Sequence, residues 1–322
     1  MSRDRHIDAV THEPSALRRG MRAATGFTVV LVRLVDEVDR HWVGAVNGDD
    51  ADALHDLRVA VRRTRCVLRE SRRVLPRRVV DTARAEFHHL ADLTGSPRDF
   101  DVLLAGWPRY TSGLGERDVA AIERVRTVID AQRTAAHEAL AAGFDAAARI
   151  QVCEWRTQLR VLLADDPAIA GHARRRLGTV IARSVRRSHE RLVEHGRLVE
   201  HDSPDALLHD LRKEAKNLRY LVECFEELFA DEPRRALLTG LKGVQEVLGQ
   251  HQDAVAHHAV IVTALGQVRR PSVATRHAVD VVLHDLERRR DTCRAEFAKQ
   301  FAAFDSKATR AALRQAARRL ER

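Results

Sequence analysis

Two stretches decide the fold: His55-Asp56-Leu57-Arg58-Val59-Ala60-Val61-Arg62-Arg63-Thr64-Arg65 and His209-Asp210-Leu211-Arg212-Lys213-Glu214-Ala215-Lys216-Asn217-Leu218-Arg219. In each, the histidine is followed by a cation at the third, seventh and tenth positions. An α-helix turns about 100° per residue, so these four positions fall within roughly 80° of one another. A second stripe, Leu57, Val61, Thr64 and Leu68 in one copy and Leu211, Ala215, Leu218 and Val222 in the other, lies roughly 110° further round. The reading is two amphipathic helices whose cations border the core-facing side. Like charges along one flank repel, and finding the arrangement twice points to a polyanion that they hold.

The copies belong to a longer repeat. His209 follows His55 by 154 residues, and the same offset aligns Gly95-Ser96-Pro97-Arg98-Asp99 with Gly249-Gln250-His251-Gln252-Asp253. It also pairs Arg33 with Arg187 and Arg22 with Arg176, more weakly because arginine is abundant. An internal duplication into two halves of domain size follows. The expected division is a flexible polar segment over 1–14, a first helical half over 15–165 and a second over 166–322, with Asp165-Asp166-Pro167 as the boundary.

Composition supports an all-α chain. Ala, Leu, Arg, Glu and Val dominate, and no segment alternates with period two. Helices are expected over about 15–46, 50–75, 78–94, from Ser96-Pro97 onward and over 116–163. In the second half they are expected over 168–199, 203–229, 233–248, 250–270, 272–304 and 306–320. Gly95 and Gly249 read as C-terminal stops, with Asp99 and Asp253 as first-turn caps. The architecture expected is two antiparallel helical bundles of four-helix type. The 55 Lys and Arg against 46 Asp and Glu leave +9, a basic surface of mixed sign. Cys66, Cys153, Cys224 and Cys293 lack metal-ligand spacing and read as free thiols of a reducing cytoplasm. The opening MSRDRHIDAV has no apolar core, and no run approaches a membrane span.

On the two HDLR stretches, the Gly95–Asp101 segment ending in RDFD and the VQEVLGQHQD segment at 244–253, the chain resembles the CHAD family, the conserved histidine α-helical domain. The resemblance covers about residues 15–305. It implies two related four-helix bundles around a basic channel that binds inorganic polyphosphate, and association with polyphosphate granules and their proteins. Many relatives carry a CYTH triphosphatase domain with an ExExK strand. These 322 residues contain no such motif, so catalysis, cofactor and metal are not expected. Gln252 stands where the first copy has Arg98, which leaves any basic role there to a neighbour such as Lys242 or His251.

Polyphosphate is a linear polyanion without bases, so it calls for rows of donors and few aromatic platforms. Arg58, Arg62, Arg65, Arg212, Lys216 and Arg219 are the expected phosphate contacts, because a guanidinium donates two hydrogen bonds to phosphate and an ammonium acts as a point charge. His55 and His209 stand at the head of each stripe. Arg33 and Arg187 follow as second-rank candidates, then Arg98 and Lys242, then Arg22, Arg176 and Arg183. Against these stand blander roles: capping for the histidines, dipole compensation for Asp56 and Asp210, solvated surface for Arg63, Arg69, Arg72 and Arg73, and core for Tyr220, Phe225 and Phe229. The competing functions are a nucleic-acid binder, which the charge allows but the 4% aromatic content disfavours, and a metal-dependent HD-type phosphohydrolase, which needs further ligands and does not explain the cation spacing.

Overall fold

The computed structural model describes residues 16–47, 51–164 and 171–322. Their regular structure is helical: α1 (Ala23–Asn47), α2 (Ala51–Ser71), α3 (Arg77–Leu93), α4 (Gly95–Ala105), α5 (Trp107–Thr111), α6 (Glu116–Gly143), α7 (Ala146–Ala164), α8 (Leu177–Gly196), α9 (Asp205–Cys224), α10 (Asp231–Gln267), α11 (Val273–Phe304) and α12 (Lys307–Glu321). Polar starts set several of these. The hydroxyls of Ser272 and Ser306 accept from Thr275 and Thr309 N–H at the heads of α11 and α12. The chain turns between α5 and α6 at Gly113 and Gly115, as expected.

Three expected boundaries move, and one stop falls where expected but with a different geometry. The first helix begins at Ala23 rather than near residue 15, because the segment before it is drawn into backbone pairing with residues 175–178. The long helix expected from 168 is a 3-10 turn at Gly171–Arg174 followed by α8. Gly95 is no left-handed stop: α3 ends at Thr94 in right-handed helical geometry (φ −80°, ψ −6°) and Gly95 opens α4. Gly249 lies inside the 37-residue α10, because the buried stripe Leu248, His251, Ala254, His257, Ile261 continues at helical spacing through it. The Asp165–Pro167 boundary and the 1–14 segment lie outside the described residues.

The apolar faces form two cores. The larger gathers α1, α2, α3, α7, α8, α9, the first half of α10, the second half of α11 and α12, with Phe27 and Phe225 edge to face at 5.1 Å. The smaller joins Leu103, Trp107, Ile122 and Ile129 to Ile261, Val279 and Val282. Each core draws on both halves of the sequence, since α10 and α11 run through both. At 1.5 Å per residue α10 is about 55 Å long.

The 154-residue offset is legible in space. Ala23 N–H donates to Arg175 O and Leu177 N–H to Met21 O, both at 2.8 Å, around an antiparallel bridge between Arg22 and Arg176. Each bond is the other shifted by 154 residues. Thr275 Oγ1 likewise donates to the carbonyl of Ala121, 154 residues earlier, at 3.2 Å.

Candidate functional site

Helices α2 and α9 pack against one another with their apolar stripes turned inward: Leu57, Val61, Thr64, Leu68, Leu211, Ala215, Leu218 and Val222 are all buried. Burying each leucine contributes about 1.5–3 kcal/mol, and that anchorage fixes where the flanking cations stand. They border a groove of roughly 730 Å³. Its lining comprises Arg62, Arg65, Cys66 and Arg69 from α2, Asp81, Arg84, Ala85 and His88 from α3, and His209, Arg212, Lys213, Lys216, Asn217 and Tyr220 from α9. Seven lysines and arginines thus face one carboxylate.

The charges are held close. Burial, then Arg212, Arg62 and Arg58, push the Lys216 ammonium down to about 7. Burial and Arg62 also lower the Arg58 and Arg212 guanidiniums, against the opposing fields of Asp99 and Asp253 respectively. The Nε of Arg212 has no hydrogen-bond partner. The concave surface thus gathers an excess of cationic donors, of which Lys213 pairs with Asp210 at 2.9 Å and Arg69 faces Glu70 at 3.6 Å.

The members of the stripes have different duties. Arg58 does not line the groove; it donates to the carbonyls of Thr94 (2.9 Å) and Gly95 (2.6 Å) and pairs with Asp99 at 3.2 Å. It therefore ties α2 to the α3–α4 junction. Asp99 and Asp253, expected as caps, instead face the cations Arg58 and Arg212. Arg65 reaches His88 at 3.4 Å, whereas Arg219 is drawn to Glu223 and Gln245 outside the groove.

His55 is exposed, and partial desolvation followed by Arg98 pushes its pKa down. His209 lines the groove and meets Gln252 Oε1 through Nδ1 at 2.5 Å. The pairs His55–Arg98 and His209–Gln252 are equivalent under the repeat, so the glutamine that replaces Arg98 does so beside the second histidine. His251 does not supply the missing cation: it is buried and faces Asp205 at 3.1 Å. Lys242 is exposed on α10, 154 residues after His88.

The lower-ranked candidates lie elsewhere. Arg33 pairs with Glu227, Arg187 with Glu70 at 3.4 Å, and Arg176 donates to the Arg322 carbonyl at 2.6 Å. Arg22 meets Arg176 through the backbone, and Arg183 is exposed on α8. Arg63, read as solvated, is bound by Glu223 at 3.0 Å. Arg69, also read as solvated, and Tyr220, read as core, both line the groove, while Phe225 and Phe229 are core as expected. Arg69 continues the α2 stripe by four residues and was findable; Arg84 and His88 enter from α3, whose approach no local pattern announces. Among the described residues no three His, Cys, Asp or Glu side chains converge as metal ligands, and no helix is long and apolar enough to cross a membrane.

Comparison with known proteins places this architecture. An uncharacterized protein of Mycobacterium tuberculosis (strain ATCC 25618 / H37Rv) is 29% identical over 224 residues, 66% of this chain. The chain spans 40% of that relative's length. The crystal structure of the CHAD domain from the plant Ricinus communis superposes with a TM-score of 0.72 at 23% identity, over 90% of this chain and 95% of that one. PptA from Streptomyces chartreusis gives 0.69 at 18%, over 87% and 99%. The family model described as CHAD domain matches residues 30–262, and the chain belongs to the CHAD domain family.

Proposed function

We propose that this protein is a non-catalytic binder of inorganic polyphosphate, and that the groove between α2, α3 and α9 holds the chain. The observation that carries the reading is the sign and density of the lining, seven Lys and Arg against Asp81 alone. A phosphate polymer offers oxygens at short regular intervals, and Arg62, Arg65, Arg69, Arg84 and Arg212 supply forked donors while Lys213 and Lys216 supply point charges. Tyr220 is the one aromatic residue among the lining besides His88 and His209, which leaves little platform for stacking successive bases. Holding polyphosphate would bring the protein to polyphosphate granules in the cytoplasm. The role asks for no cofactor and no metal.

The test is a binding titration of the full chain against polyphosphates of several lengths at two salt concentrations, with DNA and RNA as competitors. Expected is saturable binding that weakens steeply with salt and survives excess nucleic acid. Binding abolished by equal charge of nucleic acid, or phosphate release from the polymer during incubation, would overturn it.

A further inference from the structure

Beside the smaller core a second cavity, of roughly 510 Å³, opens between α4, α5, α10 and α11. Its chemistry differs from that of the groove. Part of the wall is apolar, through Val102, Ala254 and Leu286. Tyr110 from α5 and His257 from α10 meet there, and the Tyr110 hydroxyl shares a hydrogen bond with His257 Nδ1 at 2.7 Å. Burial lowers the pKa of the His257 imidazole, so the pair is neutral at pH 7. Gly106 makes room for the phenol ring, since a Cβ there would lie 3.1 Å from Tyr110 Cε2. Arg289 stands 5.6 Å from the centre of that ring.

The rim carries a surplus of one positive charge. Asp285 holds two guanidiniums, Arg288 at 2.8 Å and Arg289. Asp253, the other carboxylate of the lining, faces Arg212. Arg109 is exposed at the same mouth and pairs with no carboxylate among the described residues. Three arginines therefore stand against two aspartates, both already engaged.

The repeat does not build this site twice. The residues 154 positions from Tyr110 and His257 are Ala264 and Leu103, both fully buried in the smaller core. Those equivalent to Arg109, Arg288 and Arg289 are Thr263, Thr134 and Ala135. Of the charged lining only Asp253 has its like, in Asp99. A ligand that follows the doubled cation stripes has no counterpart to these contacts in the other half.

We propose that the cavity between α4, α5, α10 and α11 is a separate binding site for a small aromatic carboxylate. Arg109 and Arg288 hold its head group, and its ring lies against Tyr110 and Leu286. Sites for small ligands run from roughly 300 to 1,000 Å³, and this cavity falls within that range. A guanidinium takes a carboxylate in a fork of two hydrogen bonds. The phenol face and the aliphatic wall take a ring, and a surplus of one charge matches a single carboxylate. The site shares no lining residue with the groove, so it stands whether or not the groove takes polyphosphate.

The experiment titrates the full chain with benzoate and with a naphthoate, against acetate as the head group alone and benzyl alcohol as the ring alone. The parent is compared with Arg109→Ala/Arg288→Ala at the rim and with Arg65→Ala/Arg84→Ala in the groove, each checked by thermal melting. Both rim positions are exposed, so that variant should melt near the parent. Expected is saturable binding of the aromatic carboxylates by the parent, at least about tenfold tighter than acetate or benzyl alcohol. The rim variant should lose about tenfold or more for the aromatic carboxylates, and the groove variant should bind them as the parent does. Absence of saturable binding by the parent overturns the site, as does acetate binding as tightly as benzoate. Equal losses in the rim and groove variants would show a response to overall charge and overturn it as well.

Discussion

Arg62 and Lys216, 154 residues apart in sequence, face one groove from α2 and α9, and the first depresses the ionisation of the second. In a folded protein the Lys216 ammonium at about 7, against 10.5 in an unfolded chain, is an unfavourable charge below that range. The unfolded state binds more protons between pH 7 and 10.5, so this residue's contribution to stability improves as pH rises through that window and is worst below 7. A bound polyanion reverses the balance by favouring the ammonium. Binding near pH 8 should take up a proton at Lys216. Affinity should fall across pH 7 more steeply for the parent than for Lys216→Arg, which keeps every histidine but removes the titrating amine. Calorimetry in buffers of differing ionisation enthalpy reads the proton uptake directly; identical uptake by the two proteins refutes it.

Arg58 and Arg62 separate structure from binding. A variant with Ala at Arg58, Arg62, Arg212 and Lys216 is expected from the sequence to lose binding without disturbing the helices. The Arg58 contacts to Thr94 O, Gly95 O and Asp99 change that expectation. Arg58→Ala removes two charge-assisted hydrogen bonds and the Asp99 pair at the α3–α4 junction and should cost about 1–3 kcal/mol, seen as a lower urea midpoint. Arg62→Ala relieves repulsion at Lys216 and should leave stability unchanged or slightly raised while weakening binding. Equal midpoints for the two variants would contradict this division of labour.

The apolar stripes of α2 and α9 were legible because period and burial agree: every stripe residue from Leu57 to Leu68 and from Leu211 to Val222 is buried. The α11–α12 break was legible in the expected helices over 272–304 and 306–320; the serine caps at their heads are seen in the structure. Gly249 misled because the buried stripe of α10 runs on through it; α3 does break beside Gly95, in right-handed rather than left-handed geometry. The groove was half legible. Arg62, Arg65, Arg212 and Lys216 follow from the repeat, but Arg84 and His88 arrive from α3 by tertiary packing. The diversion of Arg58, Arg219 and Arg33 to carbonyls and glutamates is likewise invisible in a one-dimensional pattern.

Gly178 tests the seating of α12 on α8. A Cβ there would lie 2.0 Å from the carbonyl oxygen of Leu320 and 3.1 Å from Arg19 Cβ. The obstacle is backbone, which cannot swing aside as a side chain can. Gly178→Ala should therefore force α12 away from α8 and lower the melting temperature despite the better helix propensity of alanine. Gly249→Ala, with open space around the added methyl, should be neutral or stabilising by up to about 1 kcal/mol. A melt in which both substitutions behave alike would show that α12 is not seated where the structure has it.

Salt dependence distinguishes phosphate contacts from ornamental charge. A cation that neutralises a phosphate releases counterions, so each true contact steepens the fall of affinity with salt by somewhat less than one unit on a double-logarithmic plot. Arg62→Ala and Arg212→Ala each remove a charge from the groove lining and should each reduce the slope. Arg33→Ala removes a charge that Glu227 already holds outside the groove, so it should leave the slope near the parental value. Lys216→Ala should reduce the slope at pH 6 and near pH 8 alike, because the bound polyanion keeps the ammonium charged in the complex. If Arg33→Ala flattens the curve as much as Arg62→Ala, the ligand reads overall charge and the groove has no privileged role.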